Sequence, residues 1–510
     1  MVLFDARSSL ACFILAFVVL FYRFALKRNR SKFPLPPGPK KLPIVGNLFD
    51  IPRERQWETY MAWSREYNSD IIQLSALGTS IVVLSSIEAA KELLDKRSSL
   101  YSDRVRCPMV VELMGWDFAI GERWRQHRRL FHEEFNIDAQ RQYHPQERAV
   151  IHALLWGLLR DSGDVKEHFR HMTAALVMNV TYGINVLPSN DPYIRLAEDA
   201  MHAISIAGVP GAFLVDTIPV LKYVPSWVPG AGFQRKARAW KKITRDMYEA
   251  PFAEAKRRMG MGNATPSFTS RSLRTVDESN KDVNVKATLE EVVKATAANM
   301  YSAGSDTTAS VLETFVLGML ANPEAQKRAQ AEIDSVVGHG NLADFVNQPA
   351  LPYVSAIVKE TLRWKNVTPI AIPHYIAVED EYQGYRIPAD SIVIANVWAM
   401  LHDKTAFPDP DLFNPERFLL DGKLNPAIRD PEAIAFGFGR RICPGRHMAS
   451  ASIWLTIASM LATLDISKAI DEQGNVIEPT YEYFEGLVSA PLPFKCSITP
   501  RSPQTLLTPS

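Results

Sequence analysis

The segment FGFGRRICPGRH, Phe436 to His447, sets one cysteine, Cys443, between a glycine-rich turn and a Pro-Gly step. A cysteine that acts as nucleophile or metal ligand does so as the thiolate. An apolar helical run, GRHMASASIWLTIASMLATL, follows, and Pro444 suits the first helical position, where its missing N–H would go unpaired anyway. Cys443 is therefore expected at a helix N-terminus, where N–H groups and the helix dipole favour negative charge. Gly437 and Gly439 carry no Cβ and let the backbone turn closely against something flat. Arg441 offers fixed positive charge to a neighbouring anion. These are the needs of a thiolate ligand under a planar, acidic cofactor, and cysteine thiolate is one of the axial ligands of haem iron.

Three further groupings carry chemical potential. Ala303-Gly304-Ser305-Asp306-Thr307-Thr308 interrupts an otherwise apolar helical stretch with poor helix formers and a carboxylate that is costly to bury unpaired. It reads either as a functional break or as a kinked helix turned to solvent. Glu360 and Arg363 are three apart on one helical face and can pair, as many surface residues do. Arg417, in the aromatic and proline-rich DPDLFNPERFLLDG, can supply a second arm to the same carboxylate.

The elements that must position these residues are mainly helices. AAKELLDKR, ERWRQHRRLFHEEF and RAVIHALLWGLLRD all show helical spacing of apolar residues. The longest helix is expected from Thr288, with Thr288-Leu-Glu-Glu291 as a capping box, to Asn322-Pro323. Strand-like runs lie at DIIQLSAL, SIVVLSS, IPHYIAVED, YQGYRIPADSIVIAN and PLPFKCSIT. The fold class is thus mainly α with a small, mostly antiparallel β region.

The bulk composition excludes several functions. A net charge of +1 over 510 residues gives no reason to expect nucleic acid. Four cysteines with no CxxC pair argue against structural zinc, iron–sulfur clusters and a disulfide framework. There is no GxGxxG after a strand and no GxxxxGK[ST], so no dinucleotide or P-loop site is expected. SSLACFILAFVVLFY, Ser8 to Tyr22, is apolar, no small-x-small cleavage site follows it, and basic residues flank its C-terminal side. Residues 1–26 are expected to be a membrane anchor with the rest of the chain in the cytosol. Residues 27–47 are a basic, proline-rich hinge and 48–510 the catalytic body.

Phe436-x-x-Gly439-x-Arg441-x-Cys443-x-Gly445 resembles the haem-binding loop of the cytochrome P450 superfamily without a mismatch. The other groupings follow in that family's order. Ala303-Gly304-x-Asp306-Thr307-Thr308 resembles its oxygen-activating segment, Glu360-x-x-Arg363 its ExxR pair, Pro415-Glu416-Arg417-Phe418 its partner loop, and Trp124-x-x-x-Arg128 the helix reaching the haem propionates. The resemblance covers nearly the whole chain and is to the eukaryotic microsomal type. It implies a P450 fold, a large helical body with haem b between the long central helix and the cysteine loop. It implies Cys443 as the axial iron ligand, and Phe436, Gly437 and Gly304 against the haem. Trp124, Arg128, His374 and Arg441 would hold its propionates, Thr307 and Asp306 would relay protons to bound oxygen, and Glu360, Arg363 and Arg417 would form a structural triad. Electrons would come from an NADPH-cytochrome P450 reductase docking on the cysteine side, with Arg125, Arg128, Arg129, Arg440 and Arg446 as basic contacts. The endoplasmic reticulum membrane is the expected location.

Placed by motif, the substrate-facing residues are Met300, Ala303, Val367, Ile370, Ala371, Leu487 and Val488. They are small or aliphatic, which suits a lipophilic small molecule. ELMGWDF, PGAFLVDTIP and NVWAMLHD resemble fungal, mushroom-type (basidiomycete) monooxygenases of secondary metabolism. That group implies a terpenoid hydroxylation first and an indole amine or alkaloid precursor second. One departure stands out: between Phe118 and Gly121 only Ala119 and Ile120 intervene, where relatives carry several residues more. The short 118–121 connection leaves a catalytically impaired paralogue as a further alternative.

Overall fold

A computed structural model of the protein describes residues 33–502 apart from 53, 117–120, 162, 209–211 and 280. The expected anchor and the 118–120 connection lie outside the described residues. Among the described residues no helix is long and apolar enough to cross a membrane.

The helices of eleven residues or more are α1 (Gln56–Glu66), α2 (Gly121–Phe135), α3 (His144–Arg160), α4 (Val165–Tyr182), α5 (Pro192–Ala207), α6 (Gly232–Gly260), α7 (Phe268–Glu278), α8 (Val283–Ala321), α9 (Pro323–Val336), α10 (Pro352–Trp364) and α11 (Arg446–Thr463). The 39 residues of α8 span about 58 Å. The helix begins five residues before the expected Thr288. Asp282 caps it, its side chain accepting from the Asn284 and Val285 N–H groups. Thr288 sits inside the helix and bonds back to Asn284 O at 2.9 Å. An Asx cap is as good as the Thr–Glu box, and the chain uses the earlier one.

α8 is buried through its second half. Leu312, Phe315, Val316 and Leu320 join α3, α4, α9, α10 and α11 in the largest apolar core. A second core gathers α4 to α8 around Tyr182, Phe252 and Met300. Close approach is built in where no Cβ intervenes: a Cβ on Gly318 would lie 2.6 Å from the Phe413 ring.

One sheet of five strands stands beside this body: β1 (Ile71–Ala76), β2 (Thr79–Leu84), β3 (Asp103–Arg104), β4 (His374–Ile376) and β5 (Ser391–Ala395). The order is β1-β2-β5-β4-β3, antiparallel except for β2 against β5. Its register sets Arg104 opposite His374 and His374 opposite Val393. The proline-rich stretch is docked along this sheet. Pro37 O accepts from Gln73 N–H at 2.9 Å, and a Cβ on Gly38 would sit 2.3 Å from Gln73 O. Residues 34–47 therefore pack with the body.

Candidate active site

The cysteine loop is closed by its own backbone. Cys443 N–H donates to Phe436 O at 2.8 Å, which turns the loop back on itself. Gly437 and Gly439 take φ of +77° and +58°, a region closed to most side chains. The two serve different ends. A Cβ on Gly439 would fall 1.9 Å from Leu94 O, so this glycine lets the loop lie on the helical segment Lys91–Lys96. A Cβ on Gly437 would meet nothing within 4 Å, leaving that side of the loop open.

α11 begins at Arg446 with Gly445 as its cap, two residues later than Pro444 would have it. The Cys443-Pro444-Gly445 turn precedes it, and Ala449 N–H reaches back to Gly445 O at 2.9 Å. Cys443 is thus one turn before the helix. Burial pushes its thiol pKa up, while the Gly445 N–H and the Arg128 and Arg446 charges pull it down. A thiol so placed ionises when a metal cation sits on it.

The expected anion holders converge. Arg128, from α2, donates to Ile442 O at 2.6 Å, and Arg441 donates from Nε to Ser102 O at 2.7 Å. The Arg441 guanidinium lies 3.9 Å from the centre of the Trp124 ring, a cation–π stack. His374 is buried and donates Nδ1–H to Tyr101 O at 2.7 Å. Arg104, which sequence reasoning did not single out, completes the group from β3, bonding Pro373 O at 3.0 Å. Among the described residues none of these three arginines has a carboxylate in ion-pair contact. Burial, then the Arg441 charge, holds Arg104 down at about 9. Arg441 itself is lowered to about 10, by burial and by Arg128 against the pull of Asp103. Burial, then Arg104, pushes His374 down to about 3. Half-buried cations crowded together call for an anion between them. The Cys443 thiol, the open side of Gly437 and this cationic group suit a flat, dianionic metal cofactor, and the residues fit haem.

On α8 the polar interruption is continuous helix. It faces α4 closely. A Cβ on Gly304 would lie 2.9 Å from the Val177 side chain, so its bare Cα lets α4 pack closely on α8. Thr173 donates to Ser305 O at 2.7 Å. Asp306 is raised by burial and drawn down by Arg170 and Lys166. Positions 166, 170, 173 and 177 form one stripe of α4 at helical spacing. Thr307 Oγ1–H donates to Ala303 O at 2.8 Å, leaving its lone pairs available, and Ala303 is exposed at the described surface. Glu313, two turns beyond Asp306 and 2% exposed, is pushed up to about 7 by burial against the Lys166 and Arg170 charges.

Glu360 and Arg363 are not a surface pair. Both side chains are fully buried, joined by two bonds of 2.7 and 2.8 Å. Arg417 adds Nε at 3.2 Å, and Asn414 N–H donates to Glu360 at 2.8 Å. The triad ties α10 to the loop that leads toward the cysteine.

The substrate-facing segments meet. Ser489 N–H donates to Val367 O at 2.8 Å, and Ser310 of α8 donates to Ser489 O at 2.7 Å. Val367, Leu487 and Val488 are half-buried. Ile370 packs on the sheet, and Ala371 holds a φ of +51° at the turn before β4. Met300 is the exception: it is buried in the second core. Of the basic residues expected to face a redox partner, Arg125, Arg129 and Arg440 are exposed, whereas Arg128 and Arg446 bond the cysteine loop itself.

Comparison with known proteins agrees with this arrangement. The cytochrome P450 family model matches residues 36–498. Cytochrome P450 monooxygenase 98 of Postia placenta is 46% identical over 504 residues, covering 97% of this chain and 96% of that protein. Cytochrome P450 monooxygenase ple1 of Rhodocybe pseudopiperita is 46% identical over 481 residues, 93% and 91% of the two chains. Tryptamine 4-monooxygenase of Psilocybe cyanescens is 39% identical over 496 residues, 96% of each. With its cysteine loop, its cationic group and these relatives, the chain belongs to the cytochrome P450 family and is a monooxygenase with a thiolate-ligated haem as its cofactor.

Proposed function

We propose that this monooxygenase hydroxylates a terpenoid-like metabolite, using electrons that NADPH delivers through a cytochrome P450 reductase. The observation that carries the substrate class is the strapped set of segments around Ser489. They offer Val367, Leu487 and Val488, and segments 366–372 and 486–489 hold no carboxylate to pair with an amine. The charges acting on Asp306 belong to α4. An apolar lining favours a lipophilic guest and gives a cationic one no partner.

The haem, when bound, supplies oxygen activation. The chain supplies the rest: Cys443 as the ligand, Trp124, Arg128, Arg104, His374 and Arg441 around the carboxylates, and Thr307 with Asp306 to hold and pass protons. Exposed Arg125, Arg129 and Arg440 suit an acidic flavoprotein surface. Residues 1–26 anchor the chain in the endoplasmic reticulum membrane, with the body toward the cytosol.

A second reading, hydroxylation of an indole amine, is favoured by the tryptamine 4-monooxygenase relative. The two separate in one assay. The full-length enzyme in vesicles with reductase and NADPH is offered sesquiterpene hydrocarbons and, separately, tryptamine, and products that gain one oxygen atom are counted. Turnover of the hydrocarbons supports the first reading. Turnover of tryptamine alone establishes the second. Oxygen uptake with neither oxidised, beside a normal reduced carbon monoxide spectrum, points to the pocket damaged at the 118–121 connection.

A further inference from the structure

The hairpin that carries Leu487 and Val488 has little of its own to hold it. Its strands, Tyr483–Phe484 and Ala490–Pro491, pair only as Tyr483 with Pro491 and Phe484 with Ala490. A pairing that short is marginal without support. Support comes from Val367, whose carbonyl accepts from Ser489 N–H at 2.8 Å, and from α8. Thr307 and Thr314 on that helix follow the usual course of mid-helix hydroxyls and bond the carbonyl four residues back. Ser310 instead reaches across to Ser489 O at 2.7 Å, with the two residues only 1% and 4% exposed. One turn along, Thr314 Oγ1 accepts the Tyr483 hydroxyl at 3.0 Å. The outer side of the tip is held by Arg55 against Glu485 at 3.3 Å, an ion pair whose arginine side chain is 57% exposed. A buried bond is costly to leave unmade, whereas an exposed ion pair contributes little.

Ser310 lies three residues beyond Thr307, on the same side of α8. The buried strap therefore fixes the hairpin tip relative to the segment where Thr307 acts. We propose that Ser310 is a positioning residue that sets where Leu487 and Val488 stand relative to Ala303 and Thr307, and thereby which part of a substrate is presented there. The proposal rests on the reading that the hairpin tip borders the substrate space, but not on the substrate's being a terpenoid.

Two iron-binding probes test it by optical titration of the holoenzyme. Imidazole is too small to touch the tip, and clotrimazole is bulky enough to press on it. Val488→Trp is expected to weaken clotrimazole and leave imidazole unchanged. Ser310→Ala is expected to shift clotrimazole affinity about fivefold, the worth of one hydrogen bond, with imidazole again unchanged. Ser310→Thr restores the wild-type value, Tyr483→Phe gives a smaller shift in the same sense as Ser310→Ala, and Arg55→Ala gives none. Wild-type clotrimazole binding in Ser310→Ala, with Val488→Trp altered, overturns the role of Ser310 while leaving the tip in the substrate space. No effect of Val488→Trp overturns both. If Ser310→Ala does not retain haem, Tyr483→Phe decides, and unchanged clotrimazole binding there overturns the proposal.

Discussion

Arg104 and His374 stand directly opposite each other across the β3–β4 pair, the first a half-buried cation and the second a buried neutral ring. The imidazole spends its Nδ1–H on Tyr101 O. Its remaining nitrogen, unprotonated, has no proton to give a carboxylate. Arg104 is therefore the stronger holder of an anion at this edge of the sheet. Arg104→Gln is expected to weaken haem retention by on the order of 2 kcal/mol, the worth of a hydrogen bond to a charged group. The rate of haem transfer to an excess of apomyoglobin measures it. His374→Asn should change that rate less, and the reverse ranking would show that the imidazole takes up a proton when the cofactor binds.

The Glu360 triad is expected to govern folding rather than chemistry. Both of its oxygens are engaged, and among the described residues its arginines make no other ion pair. Glu360→Gln leaves two buried guanidiniums without their counter-charge, at a cost of about 3–5 kcal/mol. Arg417→Ala should cost less, since Arg363 still neutralises the carboxylate. Thermal unfolding followed by circular dichroism reads both. The fraction of either variant that folds should still give the reduced carbon monoxide band of a thiolate-ligated iron. Melting temperatures equal to wild type would place the triad outside the stability of the fold.

How far these features could be read from the sequence depended on whether they are local. The cysteine loop was legible because its glycines, arginine and proline act within a dozen residues. The two β-like runs near the N-terminus emerged as β1 and β2 because alternation within a strand is a local signal. Arg104 was not legible: YSDRVR has no periodicity, its neighbour His374 is brought to it by strand register from about 270 residues away, and Arg441 comes from the still more distant cysteine loop. A second demand on Gly304 was not legible either: its bare Cα is required by Val177 of another helix. The start of α8 was misplaced because two good caps, Asp282 and Thr288, lie six residues apart and only packing selects between them.

Stability should fall as pH rises through neutrality, and Glu147 is a cause. It is fully buried on α3, neither carboxyl oxygen has a hydrogen bond, and the neighbouring Arg148 is turned to Asp344. Burial pushes its pKa up to about 8. The unfolded chain ionises near an ordinary carboxyl value of about 4.3. Between these values the folded state keeps a proton that the unfolded state releases. Stability from this group is complete below about pH 4 and declines by up to about 1.4 kcal/mol per pH unit until pH 8. Glu147→Gln removes that slope, so its melting temperature should exceed wild type at pH 7.5 and approach it near pH 5. Parallel curves for the two proteins would mean that water satisfies the carboxylate.

The pH dependence of turnover should report the pairing of α4 with α8. Asp306 is raised by burial and lowered by Arg170 and Lys166, with Glu198 and Glu313 as the acidic neighbours that share these charges. If the acid form of Asp306 hands protons toward Thr307, the rate declines as pH rises past its pKa. Arg170→Ala removes a charge that favours the carboxylate, so the pKa rises further and the alkaline limb moves to higher pH. Asp306→Asn cannot donate in this way, and its turnover should drop by about a hundredfold, with the limb lost. Thr307→Ala should keep NADPH consumption while diverting it from product to hydrogen peroxide, because the hydroxyl that positions the proton is gone. Steady-state rates and peroxide yields followed against pH, with reductase in excess, separate these outcomes. An alkaline limb that stays in place in Arg170→Ala and survives in Asp306→Asn would assign the proton to another group, and Glu313→Gln is then the variant in which the limb should move.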